Sequence, residues 1–170
     1  MTGTEFVRSA VDELHRAMLD DMRPLTKENL AWKPAPKANP IGFLFWHFMR
    51  TEDNNIQRLQ GKPSIWESEG YHQNLGLDAR AQGTGFTETD ADRISRVPLD
   101  QMLAYAEKVV QSTSDFLKSL SDEQLDRVPD PNSPRRTIAV VLRSIILAHG
   151  WWHLGEIRYL KGMQGMPAAR

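Results

Sequence analysis

The amino-acid sequence predicts an all-α fold, a four-helix bundle made of two helical hairpins joined by a long loop. Three observations predict it. Four stretches carry apolar residues at the period of an amphipathic helix. Within each half, a segment of the form Leu-[Thr/Ser]-x-Glu-[Asn/Gln]-Leu-x-x-x-Pro separates the helices, once as Leu25 to Pro34 and once as Leu120 to Pro129. Between the second and third helices, glycine and proline punctuate a stretch without helical period. The echo of the two halves predicts pseudo-two-fold symmetry between the hairpins.

Phe6, Val7, Ala10, Val11, Leu14, Met18 and Met22 recur at helical spacing, so the first helix is expected from Thr4 to Met22, with Pro24 ending it. In the echoed segments Thr26 and Ser121 are placed to cap a short helical turn, a hydroxyl oxygen accepting from a free backbone N–H. Asn39-Pro40 reads as an N-cap with proline at the first helical position, opening a second helix from Pro40 to Leu59. Its stripe is Ile41, Leu44, Phe45, Phe48, Ile56 and Leu59. From Gly61 to Val97 the period fades and a run of turns is expected; loops of this length usually carry function. Pro98 reopens a helix to Leu120 on Leu99, Met102, Leu103, Ala106, Val109, Val110, Phe116 and Leu117. The last helix is expected from Thr137 to Lys161, with Gly162 as its stop.

Size and composition set limits. A chain of 170 residues fits one domain, residues 1–170, and buries roughly 70 % of the surface its unfolded form exposes. The 21 Lys and Arg against 22 Asp and Glu leave a net charge of −1 with no basic block, so nucleic acid is not an expected partner. The apolar run Pro40 to Met49 is about half a bilayer span, and the first residues lack a basic-then-apolar leader pattern. A soluble, cytoplasmic protein without membrane contact is expected. There is no cysteine, which excludes disulfides, thiolate metal sites and a cysteine nucleophile.

Any metal must therefore sit on nitrogen and oxygen, and the histidines offer it. His149-Gly-Trp-Trp-His153 places two imidazoles one turn apart on one helix face. Ile138, Leu142 and Ile145 precede them on the same line and Glu156 and Leu160 follow, so polar groups interrupt an apolar stripe. Burying them costs about 1–3 kcal/mol for each group left unsatisfied. His47, in the middle of the second helix, can meet the pair across the core, as metal sites in bundles are built from facing helices. Three neutral imidazoles leave an open coordination position. The alternative is a set of core histidines hydrogen-bonded to carbonyls.

The remaining candidates surround that site. His15 and His72 are expected at the surface. Glu52 and Glu156 can orient an imidazole or hold a water. Trp46, Trp151 and Trp152 flank the ligands and can line a pocket or fill core. Gly150 and Gly155 point to a close helix approach or to access to a metal. Arg50 and Arg158 are candidates for holding a substrate carboxylate. No general base is identified.

Trp46-His47 in the second helix, His-x-x-x-His-x-Gly-Glu-Ile in the fourth (His149 to Ile157), and Leu25 to Pro36 followed by Asn39-Pro40-Ile41-Gly42 resemble the DinB-like superfamily of four-helix bundles over nearly the whole chain. The resemblance implies a divalent metal, nickel or zinc, on His47, His149 and His153, and a homodimer. It also implies thiol-dependent chemistry of the kind carried out by bacillithiol and mycothiol S-transferases and a mycothiol-dependent maleylpyruvate isomerase. The expected function is thus metal-dependent activation of a low-molecular-weight thiol against a small electrophile. A metal-dependent hydrolase with the same site, or a non-catalytic metal-binding or dimerising module, are the alternatives.

Overall fold

In the computed structural model, which describes residues 1–167, the chain is helical and no strand occurs among the described residues. The last three residues of the expected domain, 168–170, lie outside them. Three long helices are α1 (Gly3–Met22), α3 (Ile41–Leu59) and α7 (Leu99–Ser119). A fourth rod, Ile138–Met163, consists of α9 (Ile138–Val141), a π-helical stretch (Leu142–Ala148) and α10 (His149–Met163). The first helix packs on α7 and α10, and α3 packs on the same two.

The echoed segments form α2 (Lys27–Ala31) and α8 (Asp122–Leu125). The Thr26 hydroxyl accepts from Asn29 N at 3.3 Å while the Asn29 amide oxygen accepts from Thr26 N at 2.9 Å. The Gln124 side chain accepts from Ser121 N at 2.7 Å in the same way. Both satisfy backbone donors that a helix start leaves free.

The segment after α3 departs from the expected run of turns. It contains α4 (Ile65–Ser68), α5 (Tyr71–Asn74) and α6 (Glu88–Ile94), each too short for a helical period to emerge from the residue pattern. These pieces are tied to the long helices. Asp53 Oδ1 and Oδ2 accept from Ile65 N and Trp66 N at 2.9 and 3.0 Å, and a Cβ at Gly42 would stand 2.9 Å from Ser95 Cα.

The fourth rod also departs from a simple stripe. Wider π turns take in more residues each, so the buried line steps by four through Ile138, Leu142, Ile146, Gly150 and Leu154. Ile146 rather than Ile145 is fully buried, and His149 and His153 sit one residue off that line, half-buried at its edge. Gly150 lets the rod approach closely: a Cβ there would meet Leu14 Cδ2 at 2.5 Å and Phe48 Cζ at 2.7 Å. Gly155 has nothing within 4 Å, so it does not share that reason. This rod is the one helix among the described residues long and apolar enough to cross a membrane. Its uncharged stretch, 144–155, is longer than the run Pro40 to Met49, though neither alone reaches the length of a bilayer span. In the fold the rod packs on α1 and α3.

His15 is not a surface residue. It is 3 % exposed, and its Nε2 meets the fully buried Glu52 carboxylate at 2.8 and 3.0 Å, where Thr113 Oγ1 also donates at 2.6 Å. The three residues come from α1, α3 and α7 and form a polar joint between the two apolar clusters of the core. Burial pulls the His15 pKa down, but the charge and hydrogen bond of Glu52, with help from Asp12, outweigh it and leave the pKa raised. A raised folded-state pKa contributes stability that is full below the unfolded value near 6.5 and is lost as pH rises through the folded value. An NMR titration should therefore find His15 titrating above 6.5, and Glu52→Gln should move it below. A wild-type value under 6.5 would show that desolvation wins instead.

Candidate metal centre

His47 projects from the middle of α3 and His149 and His153 from the first turns of α10. The fold brings all three together: one ligand nitrogen from each lies within 4.8 Å of the others. The ring centroids are 5.3 Å apart for His47 and His149, 5.2 Å for His47 and His153, and 4.3 Å for the pair on α10.

Hydrogen bonds set which nitrogen faces inward. The His153 Nδ1 lies 2.7 Å from Glu156 Oε2; a carboxylate can only accept, so Nδ1 carries the proton and the Nε2 lone pair is free when the ring is neutral. His47 Nδ1 donates to the Gln82 carbonyl, which leaves its Nε2 free in the same way. His149 Nε2 stands 2.8 Å from His153 Nε2. Two lone pairs at that distance repel unless a proton or a cation lies between them. Two imidazole nitrogens bound to one ion at about 2.0–2.1 Å stand roughly 3 Å apart. The donor set therefore fits a divalent cation, and an outer hydrogen-bonding partner already orients two of its three imidazoles.

Two of the rings are also held neutral. Burial, then the charges of His153 and His47, pull the His149 pKa down to about 4, with Glu156 and the Ile145 carbonyl opposing. Burial lowers His47 as well, against the pull of the Gln82 carbonyl. Both are neutral near pH 7, as metal ligation requires.

The cluster opens onto a cleft of about 400 Å³. Its lining is neutral: the hydroxyl residues Thr51, Thr84 and Ser144, the amide residue Gln82, and Trp152 stand beside His47 and His149.

Of the other candidates, Glu156 and Trp152 join the site and the rest lie elsewhere. Glu52 pairs with His15, and Glu156 is the carboxylate that reaches the cluster. His72 Nδ1 bonds the Trp66 carbonyl at 3.2 Å. Trp46 is core, stacked on Phe86 with centroids 5.7 Å apart, while Trp152 is 70 % exposed. Both arginines are engaged within the fold, Arg50 the more completely. Arg50 is wholly buried and donates to Asp53 Oδ2 at 3.0 Å, and Arg158 Nε donates to Asp21 Oδ2 at 2.6 Å. Gln82 is the site residue that the residue pattern misses, since an amide in a turn-rich segment bears no ligand signature. Its one signal is the glycine that follows it.

Comparison with known proteins bears on both fold and family. Residues 10–157 match the family model described as the DinB superfamily. The fold is similar to a crystal structure titled as the conserved protein of locus from Enterococcus faecalis, with a TM-score of 0.80 and 24 % identity, covering 95 % of this chain and 96 % of that one. No curated protein matches. A family match across most of the chain, over an all-helical fold with three histidines gathered between α3 and α10, shows that the chain belongs to the DinB superfamily.

Proposed function

We propose that this protein is a divalent-metal enzyme of the S-transferase type, in which His47, His149 and His153 hold nickel or zinc and a low-molecular-weight thiol attacks a small electrophile. The observation that carries this reading is the convergence of three imidazoles at the mouth of a neutral cleft of about 400 Å³. Bound there, the cation supplies Lewis acidity that lowers the pKa of a coordinated thiol or water. Imidazole ligation suits both zinc and nickel.

The protein's own residues do the rest. Glu156 holds His153 as the Nδ1–H tautomer, and the Gln82 carbonyl does the same for His47. The hydroxyls and amide of the cleft offer hydrogen bonds to a neutral polar substrate, and Trp152 an apolar face. With no cysteine in the chain, the sulfur nucleophile has to be a co-substrate. It forms the new carbon–sulfur bond as the electrophile's leaving group departs with the bonding pair, and the thiol proton passes to solvent. We also propose a homodimer in the cytoplasm. Supporting the dimer, Trp152, Tyr159 and Met163 are 70, 70 and 49 % exposed along one side of α10, an apolar stripe of the kind that marks contact surfaces.

The deciding experiment is elemental analysis of the untagged protein, followed by conjugation assays on the metal-loaded form with several thiols and chlorodinitrobenzene. About one metal per chain and thiol-dependent conjugate formation are expected. A protein that takes up neither zinc nor nickel would return the histidines to a structural role. Turnover of an ester without any thiol would make the enzyme a hydrolase.

A further inference from the structure

The stretch 79–83 is bound to α3 more closely than a connecting loop requires, and its bonds fall on the helix that carries His47. Arg50, three residues beyond His47 and without exposed surface, donates from Nε to the Ala81 carbonyl at 2.9 Å and from Nη2 to the Ala79 carbonyl at 3.5 Å. The same Nη2 donates to Asn54 Oδ1 at 3.0 Å, and Asn54 Nδ2 donates to Gln82 Oε1 at 2.8 Å. At Gly83 the backbone turns with φ +95°, and an added Cβ would stand 2.9 Å from His47 Nδ1 and 3.1 Å from the Phe43 ring. Glycine alone suits both that conformation and that space. Between the Asn54 bond and Gly83, the Gln82 carbonyl rests on His47 Nδ1. Phe43 stacks on the same imidazole, with centroids 5.9 Å apart and planes within 11° of parallel.

A carbonyl on the outer nitrogen of a ligating imidazole fixes its tautomer and ring orientation and raises its basicity. A carbonyl in an unanchored loop would do this poorly, because ordering the loop costs backbone conformational entropy. Here the ordering is secured in advance by the guanidinium and the Asn54 amide.

We propose that Arg50, Asn54 and Gly83 are positioning residues for the metal centre: they strap the 79–83 stretch onto α3 so that the Gln82 carbonyl holds His47 as the Nδ1–H tautomer, its Nε2 turned toward His149 and His153. The functional consequence rests on the metal-centred reading above, whereas the tautomer is a property of the metal-free chain. Because Gln82 also lines the cleft, one device sets both a ligand and a wall of the substrate space.

The test pairs two measurements on the full-length protein. Two-bond ¹H–¹⁵N correlation of the imidazoles reads the His47 tautomer without metal, and competition with a chromophoric chelator reads zinc affinity. Both are made on wild type, Arg50→Lys, Asn54→Ala and Gly83→Ala, with the exposed Lys62→Ala as control. Asn54→Ala and Gly83→Ala are expected to keep their helical circular dichroism, lose the single Nδ1–H state of His47, and bind zinc about 10–100-fold more weakly. Lys62→Ala should change neither. Should Arg50→Lys fail to fold, the two variants at half-buried positions decide the matter. Wild-type affinity or an unchanged His47 tautomer in both of them would overturn the proposal. If wild type binds no zinc, the metal-centred reading falls, and the tautomer comparison still decides whether the strap exists.

Discussion

Replacing His149 with alanine is expected to reduce bound metal from about one equivalent to background, while the protein stays folded. Removing His149 takes away the nitrogen that stands 2.8 Å from His153 and leaves one ligand on each of two helices. Two imidazoles on separate helices have no i, i+4 pair to hold them to one ion, so the loss should be near complete rather than graded. The fold should survive because a half-buried ring whose pKa lies at about 4 carries no charge near pH 7 and forms no ion pair. His153→Ala should behave alike in elemental analysis by inductively coupled plasma mass spectrometry, and His47→Ala, which keeps the i, i+4 pair but only two of the three ligands, should also lose most of its metal. Metal retained at wild-type stoichiometry in any of the three would mean that the ion is held elsewhere.

Asp53→Ala should produce the largest loss of stability, about 3–5 kcal/mol, the usual consequence of stripping the partner from a buried charge. Asp53 and Arg50 are both fully buried and 3.0 Å apart. The Asp53 carboxylate also accepts from Tyr105 Oη at 2.7 Å and from Ile65 N and Trp66 N. Burial, then the Asp53 charge, push the Tyr105 pKa well above its usual value of 10.0, so the phenol stays protonated and keeps donating. Alanine would leave a guanidinium, a phenol and two backbone N–H groups without this acceptor. Against a total stability of about 5–15 kcal/mol for a typical domain, the variant should unfold at far lower urea concentration. Asp53→Asn, which keeps the shape and one acceptor oxygen, should lose less. A change below about 1 kcal/mol for Asp53→Ala would show that water replaces the carboxylate.

The same network explains where reading the residues reaches its limit. By residue type Arg50 suits a substrate carboxylate, because a guanidinium is usually exposed and a good carboxylate partner. Its burial follows from Asp53, Tyr105 and the carbonyls of residues 79 and 81, which come from three parts of the chain. The polar neighbours of His15 in sequence put it on the polar side of α1. A carboxylate on α3 and a hydroxyl on α7 make its burial tolerable, and neither is visible from α1 alone. The rotation of the fourth rod by its π-helical stretch is equally hidden, since the residues Leu142 to Ala148 read as ordinary helix formers.

What the sequence by itself determined is what depends on neighbours a few residues apart. Periodicity predicted the long helices to within a few residues of their observed ends, capping chemistry the two short turns, and i, i+4 spacing the pairing of His149 with His153, because each reports contacts within one helical turn. Tertiary structure decided what depends on groups far apart in the chain: how the fourth rod is turned, how the charges of His15 and Arg50 are compensated, and how the Gln82 carbonyl comes to rest on His47. Those outcomes depend on desolvation and pairing between separate elements, and burial costs a polar group little only when its partner arrives with it.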